Sequence, residues 1–153
     1  MEIFILKDQP TLSVRTTTSV SALPQTIGEI YQEIAGYLSE LKSAPAGFPF
    51  VIYYNMDMDR LDAEIGFPAV PGSPGTGRIK ASVLPGGRFL HMVHTGPYRT
   101  LDQSYQKAMA YLEQERIVVQ EWMYEMYYND PDETPEEKLL TGVFFPIAEE
   151  QQE

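Results

Sequence analysis

Sliding the sequence along itself by 74 positions brings two stretches into agreement. Thr26 falls on Thr100, Tyr31 on Tyr105, Gln32 on Gln106, Tyr37 on Tyr111 and Leu38 on Leu112, all in segments with helical apolar spacing. At the same offset Tyr53-Tyr54-Asn55 falls on Tyr127-Tyr128-Asn129. A shift of 78 places Gly66-Phe67-Pro68 over Phe144-Phe145-Pro146, and the four added residues fall in an acidic loop, where insertion is cheap. The chain thus reads as a duplicated strand–helix–strand–strand unit within one domain, 1–150, with copies at about 1–75 and 76–150. Two such copies pair most simply into one curved antiparallel sheet with two helices on one face, an α+β class, and their junction leaves a central groove suited to a ligand. Residues 151–153 read as an acidic tail.

The element boundaries follow from local chemistry. Glu2 to Thr18 is extended, with a break at Asp8-Gln9-Pro10. Thr26 with Glu29 has the form of a capping box, which predicts a helix start there. Ile27, Ile30, Tyr31, Ile34, Tyr37, Leu38 and Leu41 continue that helix, which stops before Pro45. Phe50 to Asn55 and Arg60 to Phe67 read as strands. Ile79 to Leu84 and Arg88 to Thr95 read as a hairpin around Pro85-Gly86-Gly87. A second helix, about Thr100 to Arg116, precedes the strand Trp122 to Asn129, and Leu139 to Ile147 is the last strand.

The strand at Trp122 carries the sharpest functional signal. Side chains alternate faces along a strand, so Met123, Glu125 and Tyr127 share one face, opposite Trp122, Tyr124, Met126 and Tyr128. A carboxylate between a thioether and an aromatic ring is costly unless a cation or a donor meets it. At the 74-residue offset Glu125 replaces Val51, so one copy keeps an ordinary strand residue where the other carries a charge. The candidate ligand-binding residues are Glu125, Tyr127, its counterpart Tyr53, Trp122 and Phe145. Trp122 lies across the strand from Glu125 and is also suited to packing.

Other polar groups read as structural. Asp62 and Glu64 share a strand face that reads as a solvated edge, with Leu61, Ala63 and Ile65 buried behind it. His91 and His94 fall on opposite strand faces and cannot chelate one metal, and His94 reads as a hydrogen-bonding turn residue. No Ser-His-Asp arrangement is evident, and Gly72 to Gly77 lacks the strand-to-helix context of a phosphate loop. The expectation is no metal and no cofactor. With no cysteine, the chain has neither a disulfide framework nor a thiolate metal site. Met1-Glu2-Ile3-Phe4 lacks a signal-peptide pattern, and no apolar run approaches a membrane span of roughly 20 residues. A cytoplasmic location without membrane contact is expected.

The clearest local sequences are His94-Thr95-Gly96-Pro97-Tyr98 leading into a helix, Tyr124-Glu125-Met126-Tyr127 followed by Asn129-Asp130-Pro131, and the closing Phe144-Phe145-Pro146-Ile147. In that order and spacing they resemble the GyrI-like effector-binding domains, also found as C-terminal drug-binding modules of AraC- and MerR-type regulators. The resemblance covers nearly the whole chain and implies the duplicated fold. It also implies a stand-alone binder of hydrophobic, aromatic, cationic small molecules, with Glu125 as the charge partner and tyrosines flanking it. Two alternatives come with the resemblance: a hydrolase of strained, cyclopropane-type compounds using the same groove, and a gyrase-inhibitory or other protein-inhibiting module. The last strand departs from the family pattern, carrying Leu140-Thr141-Gly142 where an acidic residue often stands.

The 22 acidic against 11 basic residues, a net charge of -11, argue against nucleic-acid binding, which needs clustered Lys and Arg. The regulators' helix-turn-helix has no counterpart in this sequence. The chain is therefore expected to give no shift of random-sequence duplex DNA at physiological salt, and a salt-sensitive shift at micromolar protein would overturn this.

Overall fold

A computed structural model describes residues 1–148, so the acidic tail at 151–153 lies outside the described residues. The elements run β1 (Glu2–Leu6), β2 (Gln9–Thr18), α1 (Leu23–Glu40), β3 (Phe50–Tyr53), β4 (Leu61–Pro68), β5 (Lys80–Leu84), β6 (Gly87–Thr95), α2 (Leu101–Gln114), β7 (Met123–Tyr127) and β8 (Leu140–Pro146). Short 3-10 turns at Tyr98–Thr100 and Glu136–Lys138 precede α2 and β8. The class is α+β.

Two compact units are present, residues 7–86 and residues 1–6 with 87 onward. In the first, the antiparallel strands run β3-β4-β2-β5. In the second they run β7-β8-β6-β1. Strand–helix–strand–strand therefore occurs twice, as β2-α1-β3-β4 and β6-α2-β7-β8. The registers agree residue for residue. Glu64 lies between Arg15 and Ile52 in one unit, as Gly142 lies between Val93 and Met126 in the other. The fourth strand of each unit is the one that precedes the other copy in the chain: β1 edges β6, and β5 edges β2.

The duplication extends to details that composition hides. After each helix one non-glycine residue takes the left-handed conformation, Lys42 and Arg116, both with φ 56°. The following amides, Ser43 N–H and Ile117 N–H, then reach back to the carbonyls of Leu38 and Leu112, each at 2.9 Å. This closes the helix by satisfying a carbonyl that would otherwise be orphaned. The repeated asparagines have one job. Asn55 donates to the Arg60 carbonyl (3.1 Å) and accepts from Asp62 N–H (3.0 Å). Asn129 donates to the Lys138 carbonyl (3.0 Å) and accepts from Leu140 N–H (3.0 Å). Each amide fixes the loop into the last strand of its copy.

Helical periodicity buries Ile30, Ile34 and Leu38 of α1, and each such side chain contributes roughly 1.5–3 kcal/mol. Tyr31 of α1 meets the Phe67 ring at 5.1 Å, so Phe67, Ile65 and Ala63 form the helix-side face of β4. In the second unit Tyr105 of α2 meets Phe145 edge-on at 6.0 Å. That places Met123, Glu125 and Tyr127 on the helix side. The opposite face is an aromatic layer: Tyr124 stacks on Phe144 at 4.4 Å, Phe89 meets Tyr124 edge-on at 5.6 Å, and Phe4 stacks on His91 at 4.3 Å.

Four expectations are corrected. The first helix begins at Leu23 with Ala22 before it and no side-chain cap, so Thr26 is inside the helix. Pro24 in the first turn has the fixed φ that starts a helix and lacks only a donor that would be unused there. The segments at Ile79 and Arg88 do not form a hairpin: β5 pairs with β2, and β6 lies between β1 and β8. The Pro-Gly-Gly composition marks a turn but not the partners of the strands beside it, and Gly86 N–H is instead held by Asp8 (2.7 Å). The strand at β7 starts at Met123, leaving Trp122 outside it. Finally, β4 is no solvated edge, because it lies between β3 and β2, and Glu64 is buried.

Gly142 leaves its space to Tyr128, whose ring a Cβ at that position would overlap. Gly142→Ala should therefore displace that ring and its contact with His91 and cost roughly 1–3 kcal/mol. An unchanged urea midpoint would show that the ring moves freely.

Candidate functional site

Glu125 sits in the middle of β7, opposite Val143 of β8, and is only 6% exposed. No ion pair engages it among the described residues. Two tyrosines answer it instead. Tyr127, two residues along the strand on the same face, donates its hydroxyl to Oε1 at 2.7 Å. Tyr105, one helical turn inside α2, donates to Oε2. The Tyr105 hydroxyl also lies 3.9 Å from the Met123 sulfur, so thioether, carboxylate and phenol form one contiguous surface. Burial pushes the Glu125 carboxyl above its ordinary 4.5, and the two hydroxyls and the His94 imidazole pull it part of the way back.

The segment before α2 positions the next ring. Gly96 has φ 129°, in the region that favours glycine, and turns the chain into Pro97. His94 is buried and locked, with Nδ1 2.6 Å from Ser104 Oγ and Nε2 3.1 Å from both the Pro97 carbonyl and Thr100 Oγ1. Tyr98 follows, meeting the Tyr127 ring edge-on at 5.8 Å while staying 39% exposed. Burial raises the Tyr98 phenol, and the negative charges of Glu125 and Asp130 raise it further. Tyr98, partly exposed, thus touches Tyr127, which in turn donates to the buried carboxylate.

The structure brings together only some of the residues chosen from sequence. Tyr127 touches Glu125 directly. Phe145 lies on the same face of the sheet and reaches it through Tyr105. Trp122 lies with the opposite aromatic layer, 6.1 Å edge-on from Phe89, and donates its indole N–H to Gln120 (3.1 Å). Tyr53 ends β3 in the other unit and is half-buried. His91 pairs with Tyr128 (3.0 Å) on the face away from Glu125. Sequence reasoning missed Tyr105 and Tyr98. Tyr105 was in view as the repeat partner of Tyr31, but its helical spacing reads as core packing. The hydroxyl of Tyr31 is used differently, bonding the Phe50 carbonyl at 2.9 Å.

The duplicated α+β fold holds a buried acid between two tyrosine hydroxyls. Residues 1–148 match the GyrI-like small molecule binding domain, and the chain belongs to that family. Over 60 residues it is 38% identical to a DNA gyrase inhibitor of Salmonella typhimurium, a stretch covering 39% of this chain and 37% of that protein. The fold is similar to the EcmrR C-terminal domain (TM-score 0.75, 18% identity, 96% of each chain covered). It is also similar to SAV2435 solved with tetraphenylphosphonium (TM-score 0.72, 14% identity, 96% of this chain and 93% of that one). No helix among the described residues is long and apolar enough to cross a membrane.

The raised Glu125 pKa has a defined effect on stability. A group that holds its proton more tightly when folded favours the folded state as it protonates. Wild type should therefore gain stability relative to Glu125→Gln as pH falls from neutral towards 4.5. Urea midpoints of the pair at both ends of that range test this, and a constant difference would place the carboxylate in contact with water.

Proposed function

We propose that this chain is a cytoplasmic binding domain for hydrophobic, aromatic, cationic small molecules. Glu125 is the charge partner, Tyr105 and Tyr127 hold it, and Tyr98 stands at the entrance. The observation that carries this reading is the buried carboxylate held by two tyrosine hydroxyls, with no ion pair to it among the described residues. Hydroxyl donors keep the acid oriented in a low-dielectric place without neutralising it, so its attraction for an incoming cation stays large. Lipophilic cations suit such a place because they lose little hydration on entry and can lie against ring faces, each contact contributing about 0.5–2 kcal/mol. The tetraphenylphosphonium bound by a protein of similar fold has this chemistry.

The test is calorimetric titration with tetraphenylphosphonium and with neutral triphenylphosphine oxide. Glu125→Gln should weaken the cation by roughly 10- to 150-fold, the equivalent of about 1.5–3 kcal/mol, and leave the neutral compound nearly unchanged. Wild-type affinity for the cation should fall on acidification, starting above pH 4.5, while the Gln variant stays flat. Equal weakening of both compounds would reduce Glu125 to a packing role.

A further inference from the structure

The first unit holds a second polar cluster, on the sheet face away from α1. Arg15 and Glu64 are paired across β2 and β4. Glu64 is buried and accepts from Ser13 Oγ (2.5 Å) and from the Tyr54 hydroxyl (2.6 Å). The Arg15 guanidinium lies over the Tyr54 ring, 3.9 Å from its centre. Its Nε and Nη2 donate to both oxygens of Asp62, at 2.9 and 2.8 Å. One carboxylate and a ring that Glu64 in turn anchors thus fix the guanidinium, although its side chain is 56% exposed. An exposed ion pair adds little stability, at most about fivefold in the folding equilibrium, so stability does not explain so much buttressing.

The second copy supports this. The same registers place Val93, Leu140 and Gly142 where the first copy has Arg15, Asp62 and Glu64. The fold therefore forms without the cluster. Arg15 uses two of its five N–H groups on Asp62, leaving three for another acceptor. It lines an open groove of about 530 Å³ with Thr16, Thr17, Asn55, Arg60 and Asp62. Among the described residues, no hydrogen bond or ion pair engages the Arg60 guanidinium. The Asn55 amide fixes the backbone at Arg60, which brings this second guanidinium to the groove.

We propose that this groove is a binding site for small oxyanions, carboxylate or phosphate, held between Arg15 and Arg60. The planar forks of two guanidiniums match the paired oxygens of either group, and Thr17, on the same strand face as Arg15, adds a hydroxyl donor. The site is separate from Glu125 and of opposite charge preference.

Proton–nitrogen NMR titration of the full chain at low salt, with inorganic pyrophosphate and separately with malonate, tests this and distinguishes phosphate from carboxylate ligands. Saturable shifts of the Asn55 side-chain amide and the Thr16, Thr17 and Arg60 backbone amides are expected with at least one of them. Arg60→Gln should weaken that binding roughly tenfold or more, while Glu125→Gln leaves it unchanged. The absence of saturable shifts up to about 10 mM of both anions, or equal affinity in Arg60→Gln, would overturn the site.

Discussion

A carboxylate taken out of water must find donors, and Glu125 finds them on two elements at once. Tyr127 comes from its own strand and Tyr105 from α2. Satisfying this acid therefore fixes the height and rotation of α2 against β7. The start of α2 is fixed independently, by the His94 contacts to Ser104, Thr100 and the Pro97 carbonyl. The helix is thus tied by one polar knot at its beginning and another a turn later. Only small and apolar residues, Ala108 and Leu112, are left to bury along the rest of it. Polar networks that are fully satisfied specify one arrangement more sharply than apolar contact does.

The two copies share a scaffold and differ in where they place charge. The shared parts are backbone devices: the asparagine clamps, the left-handed helix ends and the strand registers. The differing parts are side chains at equivalent positions. Val51 and Glu125 occupy one pair of positions, and Glu64 and Gly142 another. One copy places its buried acid on the helix side and the other on the reverse side. Tyr54 and Tyr128 follow suit, the first donating to Glu64 and the second meeting His91 in the space Gly142 leaves.

Much of the fold was legible because duplication exposes itself in any residue type, including asparagine and tyrosine, whose roles spacing alone does not reveal. The helices, most strands and the face of Glu125 followed from periodicity. What sequence hid was partnership between distant segments. The Pro85-Gly86-Gly87 turn looked like a hairpin because turn chemistry is local, while strand pairing is not. Glu64 looked solvated because alternation gives a face but not the neighbours that cover it. Tyr105 looked like core because a phenol on a helix stripe shows its ring before its hydroxyl finds an acid. Thr26 looked like a cap because a capping box needs only four residues, and Pro24 had already started the helix.

The exchange of leading strands sets an order of assembly. The first unit is continuous, and every strand of its sheet is present once residue 84 has left the ribosome. Strand β1 emerges before all of it but pairs only with β6, at registers such as Glu2 with His91 and Ile5 with Arg88. During synthesis β1 must stay unpaired while a whole neighbouring unit forms. Closing a loop this long delays the contact, and an apolar strand waiting without a partner is open to pairing with another chain. Reciprocal exchange makes the finished halves inseparable at the level of connectivity. It also concentrates the risk of misassembly in β1.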